Sequence, residues 1–164
     1  MAEKYAIDSN IFISSSRLYY PFDIAPAFWR QLVEKGGKRL VIIDRIQTEI
    51  LRNEDPLSGW LRENIEAFSF GLSQELAVIE NYRKMISAVN EEPKYKEVAK
   101  RTFAEVADAW LCAHALTYNY TIATEEVYDQ YDRSNVKIPN ICKEFGIKYI
   151  NRLEFIRAIG IRFE

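Results

Sequence analysis

One stretch of the sequence constrains the fold more than any other. Residues 40–43 read Leu-Val-Ile-Ile, an uninterrupted apolar run that ends at Asp44. A strand with one buried face alternates apolar and polar residues, whereas a continuous run of this length indicates a strand buried on both faces. Strands of that kind occur in parallel sheets, whose faces are covered by helices. The run therefore predicts an α/β fold.

The rest of the chain fits this architecture. Apolar spacing and turn residues predict further strands at residues 4–8, 120–123 and 147–150, and helices at 24–35, 46–51, 76–89, 96–118 and 139–146. Strands that alternate with helices form right-handed crossover units. We expect one three-layer α/β/α domain over residues 1–164, with a mostly parallel sheet of four or five strands. The functional site of such a sheet lies at the carboxyl ends of its strands.

Composition excludes several kinds of function. The chain has 22 basic and 24 acidic residues, so no large basic surface for nucleic acid is expected. One histidine, His114, and two distant cysteines, Cys112 and Cys142, cannot assemble a structural zinc site, and His114 lies in an apolar run that favours a packing role. No secretory leader and no stretch of the ~20 apolar residues that span a bilayer is present, so we expect a soluble cytoplasmic protein.

Acidic residues follow the predicted strands. Asp8 follows the first strand, Glu49 lies on the helix that leaves the second, and Glu126 with its neighbour Glu125 follows the third. Each has an ordinary interpretation when taken alone, because aspartate and glutamate cap helices and form surface ion pairs. Their common position at strand exits is the observation that favours a shared site.

Asp108 is the most informative acid. Residues 106–116 are apolar almost throughout, which indicates a buried helix that carries one carboxylate and no lysine or arginine. A buried charge must be neutralised by a proton, a basic partner or a metal ion. Glu105, three residues earlier, is placed to join it. Converging carboxylates suit Mg²⁺ or Mn²⁺, and these ions indicate metal-assisted hydrolysis of phosphodiester bonds.

These segments together resemble a known family. The sequence is similar to the PIN-domain nucleases, in the VapC-like toxin group, through four stretches: Tyr-Ala-Ile-Asp-Ser-Asn-Ile-Phe-Ile at 5–13, Thr-Glu-Ile-Leu at 48–51, Ala-Asp-Ala-Trp-Leu-Cys-Ala-His-Ala at 107–115 and Thr-Ile-Ala-Thr-Glu-Glu at 121–126. The order and spacing match over nearly the whole chain. The resemblance implies a Rossmann-like fold and an Mg²⁺- or Mn²⁺-dependent ribonuclease.

The same resemblance implies the roles of individual residues. It places the catalytic and metal-binding acids at Asp8, Glu49, Asp108 and Glu126, with Asn10 and Thr124 as polar residues that support them. Glu105 and Glu125 are further supporting acids. The family usually has aspartate where this chain has Glu126, but a PIN-like branch with a similar Lys-Ile-Pro segment, here residues 137–139, carries glutamate there. The resemblance also implies a toxin–antitoxin pair, with an antitoxin protein as partner.

Substrate contacts are predicted from the remaining basic and aromatic residues. Candidates for backbone phosphates of RNA are Arg17, Arg45, Arg52 and Lys137, and candidates for base stacking are Tyr19, Tyr20 and Trp60, with ion pairing and core packing as the ordinary alternatives. Residues 14–21 are predicted to form a mobile loop over the site. A homodimer is left open.

Two other functions are left open. The first is a non-catalytic PIN-like binding module with a degenerate metal site. The second is a phosphatase of the haloacid-dehalogenase type, which also has an aspartate after its first strand. That class expects a second aspartate two positions later, where this chain has Asn10.

Overall fold

The computed structural model describes residues 3–164 and has a central parallel sheet. Its strands are β1 (Tyr5–Ile7), β2 (Leu40–Ile43), β3 (Ser69–Gly71), β4 (Thr121–Ala123) and β5 (Tyr149–Ile150). Every neighbouring pair is parallel, in the order β3-β2-β1-β4-β5. All residues of β1, β2 and β4 are buried. The parallel sheet predicted from the apolar run at residues 40–43 is therefore confirmed.

Helices flank the sheet and complete the expected α/β/α architecture. They are α1 (Ser9–Ser14), α2 (Pro26–Gln31), α3 (Asp44–Leu51), α4 (Pro56–Asn64), α5 (Leu76–Glu91), α6 (Glu97–Glu105), α7 (Ala107–Tyr118), α8 (Ile138–Phe145) and α9 (Arg152–Ile159). One contiguous apolar core joins both sides of the sheet to these helices. None of the helices within residues 3–164 is both long enough and apolar enough to cross a membrane.

The strand order creates a crevice in the middle of the sheet. From β1 the chain moves outward to β2 and β3, and it then returns to the other side of β1 to form β4 and β5. β1 and β4 are paired directly, with Ala6 opposite Ile122. Connections leave these two neighbours in opposite directions, and ligands of open α/β sheets bind at the carboxyl ends of such strands. Asp8 and Thr124 are the first residues after the two strands.

One predicted helix and one predicted loop differ from the structure. The helix predicted at residues 96–118 is divided into α6 and α7 at Val106, whose backbone is extended (φ −92°, ψ 167°). α6 buries only Ala99 and Phe103 whereas α7 is buried on nearly all sides, so one straight helix could not meet both requirements. The loop predicted at residues 14–21 is helical as far as Tyr19, because α1 continues into a π-helical turn at Ser15–Tyr19 that no glycine or proline interrupts.

His114 has the packing role that was expected. The ring is fully buried in α7, its Nε2 atom lies 3.1 Å from the Ser73 hydroxyl, and burial lowers the pKa of this histidine to about 4. The Ser73 hydroxyl in turn donates a 2.6 Å hydrogen bond to Asp44. This arrangement ties the ends of β2 and β3 to α7 with a neutral imidazole.

Candidate functional site

Asp8 occupies the start of the crevice. The residue precedes α1, but its carboxylate makes no capping hydrogen bond to that helix. Instead, Asp8 Oδ2 accepts a 2.9 Å hydrogen bond from the Thr124 hydroxyl across the β1–β4 junction. The side chain is only 1% exposed. The cap interpretation of Asp8 therefore does not describe its side chain, which links two strand ends.

Thr124 connects Asp8 to Glu126. Its hydroxyl donates a hydrogen bond to Asp8 and accepts a 3.1 Å hydrogen bond from the backbone N–H of Glu126, so it acts as both donor and acceptor. Glu126 Oε1 accepts a 3.0 Å hydrogen bond from the N–H of Ile138, the first residue of α8. Thr124 caps no helix, because β4 is followed by an irregular segment in which this threonine makes a side-chain turn.

Asp108 and Glu49 complete the cluster from two helices. Asp108 lies in the first turn of α7, and its carboxylate has no hydrogen-bond partner among residues 3–164. Glu49 lies on α3 and accepts a 3.1 Å hydrogen bond from the hydroxyl of Ser9, the residue that follows Asp8. Ser9 was not predicted as a site residue. Its position in the polar run Asp8-Ser9-Asn10, directly after Asp8, is the sequence feature that could have identified it as a site residue.

Burial and the charges of neighbouring acids raise the pKa values of Asp8 and Asp108. Burial raises the pKa of Asp8 to about 7, the Thr124 hydrogen bond opposes the rise, and the charges of Glu126 and Glu49 add to it. Burial raises the pKa of Asp108 to about 8, and the charge of Asp8 is the largest of the three neighbouring contributions. Burial also raises the pKa of Glu126, against the Ile138 N–H and the charge of Lys137. The cluster therefore requires protons or a cation.

A cleft of about 860 Å³ opens over this cluster. Glu49, Asp108 and Glu126 line it directly, and Asp8 lies beneath its surface. The other predicted residues that line it are Asn10, Glu105, Arg45, Arg52 and Lys137. The structure therefore brings an acidic centre and basic residues into one cavity.

Three residues predicted for the site or its substrate contacts lie elsewhere. Glu125 turns away from the cleft, forms an ion pair with Arg152 and accepts a 2.6 Å hydrogen bond from Ser14. Arg17 is exposed in the turn Ser15–Tyr19 and does not line the cleft. Trp60, a candidate for base stacking, packs into an aromatic cluster with Trp29 at 4.8 Å between ring centroids. For these three residues the ordinary interpretations of ion pairing, solvation and packing describe the structure.

The donor set fits a hydrated divalent ion, although it is not a closed cage. Within the described part of the chain, no three histidine, cysteine, aspartate or glutamate side chains are arranged to enclose a metal. Glu49 and Glu126 are turned by their hydrogen bonds to Ser9 and Ile138. Mg²⁺ keeps several water ligands and commonly uses one or two carboxylates together with substrate phosphate oxygens. The oxygen-only donors, and the raised pKa values of Asp8, Asp108 and Glu126, fit that mode of binding.

Thr124→Val tests whether the bridge at the β1–β4 junction positions the acids. Valine has nearly the same shape but lacks the hydroxyl, so both hydrogen bonds to Asp8 and Glu126 are lost. We expect a loss of about 1–2 kcal/mol in the free energy of unfolding and a loss of about 10- to 100-fold in metal affinity, as for removal of groups that orient metal ligands. Thr124→Ser, which keeps the hydroxyl, is the matched control, and an equal loss in both variants would contradict the bridging role.

Comparisons with known proteins place the chain in a sequence family and a fold. The model of a domain of unknown function, DUF4411, matches residues 5–163. No curated protein matches the sequence. A chain in the crystal structure of VapBC2 from Rickettsia felis, bound to a DNA fragment from their promoter, is similar with a TM-score of 0.54 and 14% identity, over 90% of this chain and 97% of that one. At this identity the likeness shows the fold alone, and the three-layer α/β/α fold expected from the sequence is confirmed.

Proposed function

We propose that this chain, which belongs to the DUF4411 family, is a metal-dependent ribonuclease that hydrolyses phosphodiester bonds. One observation carries the proposal: Glu49, Asp108 and Glu126 line one open cleft, and Asp8 lies beneath its surface at the β1–β4 crevice. No lysine or arginine in residues 3–164 forms an ion pair with any of them. Their mutual repulsion is relieved by a divalent cation, and Mg²⁺ or Mn²⁺ is the class of ion that oxygen donors favour.

Each side chain has a part in this proposal. Asp108 and Asp8 would hold the ion, with Glu49 and Glu126 as further oxygen ligands or as acceptors for its water molecules. When bound, the ion would lower the pKa of an attacking water and neutralise charge on the scissile phosphate. Thr124 keeps the Asp8 carboxylate oriented by its hydrogen bond. Arg45, Arg52 and Lys137 would hold neighbouring phosphates of the RNA.

The toxin half of a toxin–antitoxin pair is the biological role that we infer for such a ribonuclease. The likeness to a chain of VapBC2 supports this role through the fold. A cognate antitoxin would then be a protein partner, and cytoplasmic RNA would be the substrate. The proposal leaves the choice between a monomer and a homodimer open.

A non-catalytic binding module is the second candidate. The observation that favours it is the lack, within residues 3–164, of three acids arranged to enclose an ion. Such a module would bind RNA or a protein partner without hydrolysis. The two candidates differ in whether the protein binds Mn²⁺ and whether added metal produces cleavage.

Incubation with RNA tests the proposal. Purified protein is mixed with end-labelled single-stranded RNA, hairpin RNA and DNA of the same sequence, in Mg²⁺, in Mn²⁺ and in EDTA. We expect cleavage of RNA in either metal and none in EDTA. Binding of RNA with no cleavage in any metal would favour the second candidate, and cleavage of equal extent in EDTA would contradict the role of the carboxylates.

Glu126→Gln separates the charge of Glu126 from its hydrogen bond. Glutamine retains an oxygen that accepts from the Ile138 N–H, but it carries no negative charge. We expect RNA cleavage to fall about tenfold, less than for loss of an aspartate of the cluster, because both aspartates that would hold the ion remain. Glu144→Gln, on the exposed side of α8, is the control. Unchanged cleavage in Glu126→Gln would remove Glu126 from the ligand set.

A further inference from the structure

The basic residues of the cleft form no ion pair with an acid within the described part of the chain. Arg45, Arg52 and Lys137 line the same cavity as four acids, yet none takes part in the ion pairs formed within residues 3–164. Glu49 lies one helical turn from Arg45 on α3, the spacing at which such pairs usually form. Its carboxylate accepts from Ser9 instead. The three cations therefore remain available to an anionic ligand.

Arg45 is held in place by an aromatic ring. Its guanidinium carbon lies 4.7 Å from the centroid of the Trp110 ring. The Trp110 ring also stacks on the ring of Tyr82, with 3.8 Å between the centroids and an angle of 6° between the planes. The Tyr82 hydroxyl donates a 2.6 Å hydrogen bond to the Ala104 carbonyl of α6. Four helices, α3, α5, α6 and α7, thus contribute to one stack.

The stack leaves the binding capacity of Arg45 unused. A guanidinium that lies over a ring interacts with the ring electrons and still has N–H donors for other partners. The side chain of Arg45 makes no hydrogen bond within the described chain, and it is exposed in the wall of the cleft. A planar fork of donors matches the oxygens of a phosphodiester. The ring also limits the freedom of a long side chain that would otherwise have to be ordered on binding.

We propose that Trp110 is a positioning residue that presents Arg45 to a backbone phosphate of single-stranded RNA beside the acidic cluster. The inference rests on the proposed function, since it names the contact that holds the substrate of that site. Trp110 itself does not line the cleft and acts through Arg45. Among residues 3–164 no aromatic ring lies against Arg52 or Lys137, so Arg45 is the cleft cation whose side chain the fold restrains before a ligand binds.

RNA binding without turnover tests this inference. The affinity for a fluorescent single-stranded RNA of about 12 nucleotides is measured by anisotropy in EDTA at several salt concentrations. We expect Arg45→Ala to weaken binding about tenfold and to lower the slope of log affinity against log salt by about 0.7, the value for one phosphate contact on a single strand. Trp110→Leu should weaken binding about threefold to fivefold, and Trp110→Phe should restore most of the loss.

A double-mutant cycle identifies the route of the effect. If Trp110 acts through Arg45, the double variant Arg45→Ala/Trp110→Leu binds no more weakly than Arg45→Ala alone. Tyr82→Phe keeps the stacked ring and is the matched control for the hydroxyl. Arg45→Lys keeps the positive charge but lacks the planar guanidinium, so it should retain the salt slope and lose affinity. This variant leaves Trp110 and Tyr82 unaltered.

The results that would overturn the role of Trp110 differ from those that would overturn the proposed nuclease activity. Wild-type affinity in folded Trp110→Leu, or additive losses in the double variant, would overturn the positioning role while metal-dependent cleavage stands. Wild-type affinity in Arg45→Lys would overturn it even if Trp110→Leu fails to fold. A wild-type protein that binds no RNA at all would overturn this inference together with RNA as the substrate.

Discussion

Replacement of Asp8 or Asp108 by asparagine is expected to lower RNA cleavage by about a thousandfold, because each change removes a charge that would hold the metal ion, an effect worth several kcal/mol. Asparagine matches the shape of aspartate and keeps one oxygen, which can accept from Thr124 at position 8. Asp108 has no hydrogen bond to lose in the described chain. Both variants should therefore stay folded, and cleavage is compared at equal concentrations of folded protein.

Asp44→Asn is the matched control for this loss of activity. Asp44 also follows a strand of the sheet, β2, but its carboxylate accepts from the N–H and hydroxyl of Ser73 and does not line the cleft. We expect near wild-type cleavage from this variant once the folded fraction is taken into account. Cleavage that is equally low in all three variants, or unchanged in Asp8→Asn and Asp108→Asn, would contradict the assignment of the cluster.

The stability of the metal-free protein should fall as pH rises from about 6.5 to 8.5. In the unfolded chain Asp8 and Asp108 are ionised throughout this range, whereas in the folded protein their pKa values are about 7 and about 8. The folded state therefore binds more protons, and its advantage is lost as these protons dissociate. His114 opposes this trend only slightly and only near pH 6.5, where the unfolded imidazole is partly protonated whereas the folded one is neutral.

The expected size of the effect is about 2–3 kcal/mol in the free energy of unfolding, mostly from Asp108, whose folded pKa lies higher above the start of the range. Urea unfolding in EDTA at several pH values measures it. Asp108→Asn should remove most of the pH dependence, and Asp44→Asn should retain it. Mg²⁺ should stabilise the protein more at pH 8.5 than at pH 6.5, because metal binding displaces protons from the carboxylates. A flat profile for the wild type would contradict the electrostatic account.

The central features of the fold could be predicted because they depend on local composition. The apolar run of β2 has no stable place outside a covered parallel sheet, and the alternation of strands with helices then determines the layers. β3 could not be predicted in the same way. It is a short edge strand whose middle residue, Phe70, is exposed, so it lacks both an apolar run and a clear alternation.

The site was predicted as a set of acids but not as a network. Strand exits identify Asp8 and Glu126, and an apolar helix identifies Asp108, because burial and position can be deduced from nearby residues. The bonds from Thr124 to two acids, from Ser9 to Glu49 and from the Ile138 N–H to Glu126 join segments that are distant in sequence. The ring beneath Arg45 likewise comes from another helix, and contacts of this kind depend on tertiary packing.

Calorimetric titration of Mn²⁺ into the metal-free protein shows whether the four acids of the cleft hold a metal ion. We expect micromolar binding by the wild type, with proton release that grows as pH falls below the pKa values of Asp8 and Asp108. Folded Asp108→Asn should lose this binding, and Asp44→Asn should keep it. Absence of binding by the wild type, or undiminished binding by Asp108→Asn, would contradict a carboxylate metal site and favour the non-catalytic module.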